Sequence, residues 1–270
     1  MGVFLSEIFI YPVKSFAGIA LDASQVQVRG LKYDRRWMVV GADGHFLTQR
    51  PIPRMALVTP SISGTDLTLS APGWRPLCIP LSLPPESPTT CVRVWRSECI
   101  ARMADNQACS WISDFLDTPC RLVYMPEETR REVNPDYRAG EGIVSFADGY
   151  PLLLVGQESL DDLNSRLERP LPMNRFRPSI VVSGAGPFAE DHWKMIRVGD
   201  AVFHVVKPSA RCVMTTVNQA TGIPEGEEPL KTLAAFRLRD QNVFLGENLI
   251  PDFPSQVSVG DAVEVLQTRD

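Results

Sequence analysis

The chain has 270 residues, of which 44% are hydrophobic and 22% charged, and its formal charge is −5. That length buries roughly three-quarters of the unfolded surface without disulfide or metal staples, and the apolar content excludes a disordered chain. The negative balance argues against a general nucleic-acid binder, and no apolar run exceeds four residues where a helical membrane span needs about twenty.

Strands dominate the first third. Val3–Tyr11 is apolar and β-branched, and Trp37–Val40 and His45–Thr48 flank the turn signal Gly-Ala-Asp-Gly. Met55–Val58, Asp66–Leu69 and Cys91–Val94 also read as strands, whereas Pro76–Pro88, with five prolines, reads as a surface loop. Helical spacing first appears over Asp105–Asp117, with Ala108, Trp111, Ile112 and Phe115 on one face, and again over Glu158–Leu167. Between them, Glu127–Gly142 is charged and lacks an apolar period, so it is a loop or a lid. Strands return at Ser179–Ser183, Met195–Val198, Ala201–Val206 and Val213–Val217, and Lys231–Phe236 is a last helix. The echo Val198-Gly-Asp-Ala-Val and Val259-Gly-Asp-Ala-Val places a Gly-Asp turn before each of two strands. The pattern predicts a mainly β, α+β protein: an N-terminal β-barrel-like domain over 1–120 and a second β-barrel domain over 121–270.

The basic residues are lopsided, with five Lys among 27 Lys and Arg. Planar guanidinium donors, suited to phosphate and carboxylate, are therefore abundant. None of the six cysteines forms C-x-x-C, and with three histidines no zinc spacing exists. The N-terminus has neither a secretory nor a transit pattern, so reduced thiols in a cytoplasmic protein are expected.

Four places can carry chemistry. Cys212 follows Arg211 at a loop-to-strand junction, and a cation beside a thiol favours the thiolate that attacks electrophiles and binds soft metals. A structural cysteine is the competing reading, since free Cys is often buried. In Arg175-Phe176-Arg177-Pro178 an extended chain puts both arginines on one face, facing an anion or else solvent. Lys14 and Ser15 follow a strand in Tyr-Pro-Val-Lys-Ser, and Asp34 can orient a neighbouring guanidinium of Arg35 or Arg36. His204 reads as a satisfied strand histidine, and His192 as part of a capped helical turn.

Taken in order, five motifs resemble the MOSC-domain proteins, in particular the YcbX-like group and the mitochondrial amidoxime-reducing component. They are Tyr-Pro-Val-Lys-Ser from Tyr11, Asp-Arg-Arg-Trp-Met-Val from Asp34, Phe-Ala-Asp-Gly-Tyr-Pro from Phe146, Met-Asn-Arg-Phe-Arg-Pro from Met173, and Lys-Pro-x-x-Arg-Cys-x-x-Thr-Thr-Val from Lys207. The resemblance spans the chain and implies a MOSC N-terminal domain followed by a MOSC domain. It implies a molybdenum–pterin cofactor (Moco) with Cys212 as molybdenum ligand and catalytic centre. Lys14, Ser15, Arg35 and Arg177 match positions that hold the pterin and its phosphate. Gly149 and Tyr150 match a segment touching the cofactor, and Arg211 the residue before the metal ligand. Two departures are visible, since relatives often carry Cys at Ser209 and Asn at Ser179.

The implied activity is a molybdenum-dependent oxidoreductase that reduces N-hydroxylated small molecules such as amidoximes and hydroxylaminopurines. No C-x₄-C-x₂-C spacing of a plant-type [2Fe–2S] centre occurs, so electrons are expected from a separate ferredoxin-, flavodoxin- or cytochrome-type protein, with no nucleic-acid or membrane partner. The alternative is a non-catalytic Moco carrier or a persulfide sulfur-transfer module, because MOSC domains also accompany pyridoxal-phosphate-binding cofactor sulfurases.

Overall fold

The computed structural model describes residues 2–139 and 141–269. Strands carry most of its regular structure, beside three α-helices at Asn106–Leu116, Gln157–Ser165 and Leu230–Arg237. The largest sheet runs in the spatial order Ile19–Leu21, Phe4–Ile10, Ile180–Ser183, Leu152–Gly156, Asn242–Pro251, Ala201–Ala210, Trp193–Val198, Val263–Thr268. Leu238–Arg239 hairpins onto Asn242–Pro251 as its ninth strand. Its two outermost strands do not form a ladder with each other, but the chain entering the last strand bonds to the first: Val263 donates its amide to the Val3 carbonyl, and Leu5 its amide to the Asp261 carbonyl, at 2.9 Å each.

The central strand Leu152-Leu-Leu-Val-Gly is apolar throughout, as a strand covered on both faces must be. It pairs in parallel with Ile180–Ser183, and helix Gln157–Ser165 lies in the crossover between them. The first strand, Phe4–Ile10, pairs with Ile180–Ser183, so the chain's opening residues join a sheet built mainly from its second half. A register shift between Leu5 and Glu7 explains why Leu5, Ile8 and Ile10 all point inward despite uneven spacing.

A second sheet holds Trp37–Gly41, Cys120–Tyr124, Ser97–Met103 and Thr89–Val94, and a third holds Thr59–Ser63, Asp66–Ser70 and Leu77–Pro80. Helix Asn106–Leu116 closes a core containing Trp37, Met55, Leu67 and Leu122. Asp105 caps it by accepting a hydrogen bond from the Ala108 amide at 2.8 Å, and it ends where Asp117 turns left-handed.

Four elements depart from the sequence expectation. His45–Thr48 forms no strand, only isolated bridges from His45 to Arg93 and from Phe46 to Val40. Met55–Val58 lies largely in a 3₁₀ turn, Pro53–Leu57, which Pro53 is suited to open. The proline-rich stretch contains strand Leu77–Pro80 at a sheet edge, where proline is tolerated. Val213–Thr216 is a 3₁₀ turn rather than a strand. Thr215 and Thr216 donate their hydroxyls to the Cys212 and Val213 carbonyls at 2.9 Å each, a local bond that competes with a sheet ladder.

Within the large sheet, Glu247 is fully buried. Its Oε2 accepts from Arg269 Nη2 at 2.8 Å, while Oε1 has no partner among the described residues. Burial, opposed by Arg269, pushes this carboxyl from its ordinary 4.5 up to about 7. A raised native value binds a proton that the unfolded chain releases, so this contribution to stability is full below pH 4.5 and lost as pH rises through 7. At about 1.4 kcal/mol per unit the swing is on the order of 3 kcal/mol. Melting curves from pH 4.5 to 8 should therefore decline more steeply for the wild type than for Glu247→Gln; parallel declines would dismiss Glu247 as the source.

Candidate functional site

The site begins where strand Phe4–Ile10 ends. Lys14 donates its amide to the Trp37 carbonyl at 2.8 Å, which fixes the loop against the second sheet. Lys14 is only 5% exposed. Its Nζ donates to the Phe146 carbonyl at 2.8 Å and pairs with Asp148. Burial holds this ammonium down at about 8, against the opposing pull of Asp148. Burial would raise Asp148, but Lys14, with Arg50 and the Trp95 indole, holds its carboxyl well below the usual range.

Asp34 orients Arg35, as the sequence suggested, through an Oδ2–Nη1 contact of 2.6 Å, and its Oδ1 accepts the Tyr11 amide at 2.7 Å. Arg36 turns the other way, onto the Met125 carbonyl and Glu127. Arg35 and Arg177 both lie over the Tyr11 ring, at 4.3 and 4.2 Å from its centroid. Tyr11 donates its hydroxyl to the Pro178 carbonyl at 3.1 Å, and burial pushes that hydroxyl up to about 12. The Ser179 hydroxyl accepts from the Leu153 amide at 3.2 Å and from Arg35 at 3.4 Å.

The two arginines around Phe176 both line one cleft, but not through an extended chain. Met173–Arg175 forms a 3₁₀ turn and Arg177 is left-handed at φ 55°, so the expected extended segment is coiled. Arg175 is tied to the Thr216 carbonyl at 2.7 Å and to Glu225. Arg177, by contrast, makes no hydrogen bond and no ion pair through its guanidinium among the described residues, although it is 9% exposed. Burial lowers it to about 10. Ser15 and Arg35 are also left-handed, at φ 69° and 46°. Such conformations cost roughly 1–3 kcal/mol each and persist where the surroundings impose them.

Arg211 donates to Ser209 Oγ at 3.0 Å and to the Phe176 carbonyl at 2.7 Å, and its Nε is buried without a partner. Cys212, half-buried, accepts from Arg50 Nη2 at 3.4 Å. Arg131 donates to the Ser145, Ala147 and Asp148 carbonyls at 2.8, 2.5 and 2.7 Å. It thereby fastens the Glu127–Gly142 segment to the Asp148 loop, so this stretch is an anchored loop and not a free lid; Gly140 lies outside the described residues.

These elements enclose one cleft of about 340 Å³. Lys14, Ser15, Arg35, Gly149, Tyr150, Arg177, Arg211 and Cys212, scattered over two hundred positions of the chain, all line it. Two further polar residues at the centre escaped the sequence reading. Asp148 sat inside a motif already singled out, and only its ion pairs reveal it. Arg50, which touches both Asp148 and Cys212, had no sequence signal. A dianionic phosphate with a soft, thiophilic metal fits this donor set: an Arg177 guanidinium with no protein hydrogen bond among the described residues, the neighbouring Arg35 and a free Cys212 thiol line the same cleft. A Cβ at Gly149 would meet nothing within 4 Å, so space beside that backbone is open as well.

Residues 3–119 match the MOSC N-terminal beta barrel domain and residues 141–264 the MOSC domain. The cleft takes Lys14 through Arg50 from the first match and Ala147 through Asn248 from the second. The mitochondrial amidoxime-reducing component 1 of Mus musculus is 34% identical, covering 97% of this chain and 82% of the relative. Component 1 of Homo sapiens is 32% identical over the same shares, and component 2 of Rattus norvegicus is 36% identical, covering 88% and 74%. The chain belongs to the MOSC-domain family that includes the mitochondrial amidoxime-reducing components.

Proposed function

We propose that this protein reduces N-hydroxylated compounds, amidoximes or hydroxylaminopurines, at a molybdenum–pterin cofactor held in the cleft. The observation that carries this reading is the pairing of a buried, unpartnered Arg177 with a free Cys212 thiol in the same cleft. Relatives named for amidoxime reduction supply the reaction class. The balance is R–NHOH + 2 H⁺ + 2 e⁻ → R–NH₂ + H₂O: the N–O bond breaks, the nitrogen is reduced, and the oxygen leaves as water. Two electrons per turnover come from a separate electron-donor protein. When bound, the cofactor supplies a metal able to accept an oxygen atom in a two-electron step.

The chain's own residues bind and orient. Arg177 and Arg35, both braced on Tyr11 and Arg35 aligned by Asp34, offer guanidinium N–H groups to a phosphate. Lys14 and Ser15 add an ammonium and a hydroxyl that makes no protein hydrogen bond among the described residues. Cys212 offers a thiolate ligand, and Arg50 aims an N–H at its sulfur. Asp148 keeps Lys14 and Arg50 in place.

The deciding experiment is the molybdenum and pterin content of protein from a cofactor-competent host, followed by turnover of an amidoxime with reduced benzyl viologen. Near-stoichiometric amounts of both, with turnover, are expected. A folded protein that acquires neither would overturn the reductase reading in favour of a carrier or persulfide module.

A further inference from the structure

The cofactor reading leaves a side chain at the edge of the cleft without a task. Trp95 sits at the tip between strands Thr89–Val94 and Ser97–Met103, 49% exposed and left-handed at φ 56°. Exposure alone would mean little. Trp74 is also partly exposed, yet it packs edge-on against Trp111 and Phe115 and so extends an apolar core. Trp95 is mounted differently. The Arg50 guanidinium lies 4.9 Å from its ring centroid, and Phe46 meets it at 5.0 Å and 63°. Arg50 in turn touches the Cys212 sulfur at 3.4 Å. A stack therefore runs from open water, through the indole and one guanidinium, to the thiol. Contacts with Arg50 and Phe46 hold the ring, about half of it stays exposed, and it adjoins the cleft through Arg50, which lines it.

Resting on the reductase reading, we propose that Trp95 selects substrate: its exposed indole stacks planar, conjugated N-hydroxylated compounds as they enter, favouring aromatic amidoximes over aliphatic ones. An offset or edge-on aromatic contact of this kind is available to a ring-bearing substrate and not to a methyl group.

The test compares benzamidoxime with acetamidoxime on the molybdenum-loaded protein. In Trp95→Ala, kcat/KM for benzamidoxime should fall about three- to tenfold relative to acetamidoxime, mainly through KM, and Trp95→Phe should recover most of the difference. Equal losses on both compounds, or no loss, would overturn the proposal. Calorimetric titration of benzamidoxime without reductant gives a readout free of turnover, with weaker binding expected for Trp95→Ala. If the loaded wild type reduces neither compound, the reductase reading falls and this titration decides alone. Weakened binding then upholds the stacking role, and equal or absent binding overturns it.

Discussion

Replacing Cys212 by serine should remove amidoxime reduction while leaving the fold intact. The thiol is half-buried and accepts one long N–H contact from Arg50, which a hydroxyl can also accept. Stability should therefore change by no more than the ±0.5 kcal/mol or so typical of sites outside the core. Activity should fall much further. Residues that merely support a metal ligand cost about 10–100-fold when lost, and a direct ligand should exceed that range. Serine supplies a hard, poorly ionised oxygen where a soft metal prefers sulfur. The measurement is turnover with reduced benzyl viologen, beside molybdenum content and a thermal melt. Turnover within tenfold of wild type at equal metal content would remove Cys212 from the metal's coordination sphere.

Arg177→Ala should separate cofactor binding from folding. Its guanidinium has no hydrogen-bond partner among the described residues, and its one strong contact is with the Tyr11 ring at 4.2 Å. Losing that contact costs about 0.5–2 kcal/mol, but removing a buried unpaired cation relieves a desolvation penalty in the other direction. Alanine at φ 55° is no worse placed than arginine, since both carry a Cβ. The cofactor-free variant should therefore melt within a few degrees of wild type. Its molybdenum and pterin content, loaded side by side, should drop at least about tenfold, as expected for loss of one charge-assisted pair with phosphate. Unchanged occupancy would return Arg177 to a purely structural role, and a collapse of the melting temperature would show that it holds the fold.

Part of this was legible from residue order alone. Helix Asn106–Leu116 announces itself through its apolar spacing and its Asp105 cap, because both are local. Strands such as Phe4–Ile10 and Asp66–Ser70 declare themselves by β-branched or alternating residues. Val213–Thr216 misled because its β-branched composition favours strands, whereas the threonine hydroxyls fold back on the preceding carbonyls. Arg175 and Arg177 both line the cleft, but the backbone that brings them there is not the extended one expected, for a related reason. Strand alternation assumes extended backbone, and a 3₁₀ turn followed by a left-handed residue sends one guanidinium to Thr216 and Glu225 and leaves the other without a hydrogen-bond partner.

What the sequence by itself determined is the β-rich class, the family, and the residue types able to meet a phosphate and a soft metal. These depend on local propensity and on motif order, which survive without coordinates. Tertiary structure alone decided which of the 27 Lys and Arg residues face the cleft and which are consumed elsewhere. Arg36 and Arg131 look no different in the chain from Arg35 and Arg177, yet carbonyls and carboxylates from distant segments tie them down away from the cleft. Arg50 and Trp95 reach the thiol's neighbourhood only because a hairpin tip and a loop converge there from separate stretches of chain. A buried charge acquires its role from the partners it lacks as much as from those it has, and that inventory exists only once the chain has folded.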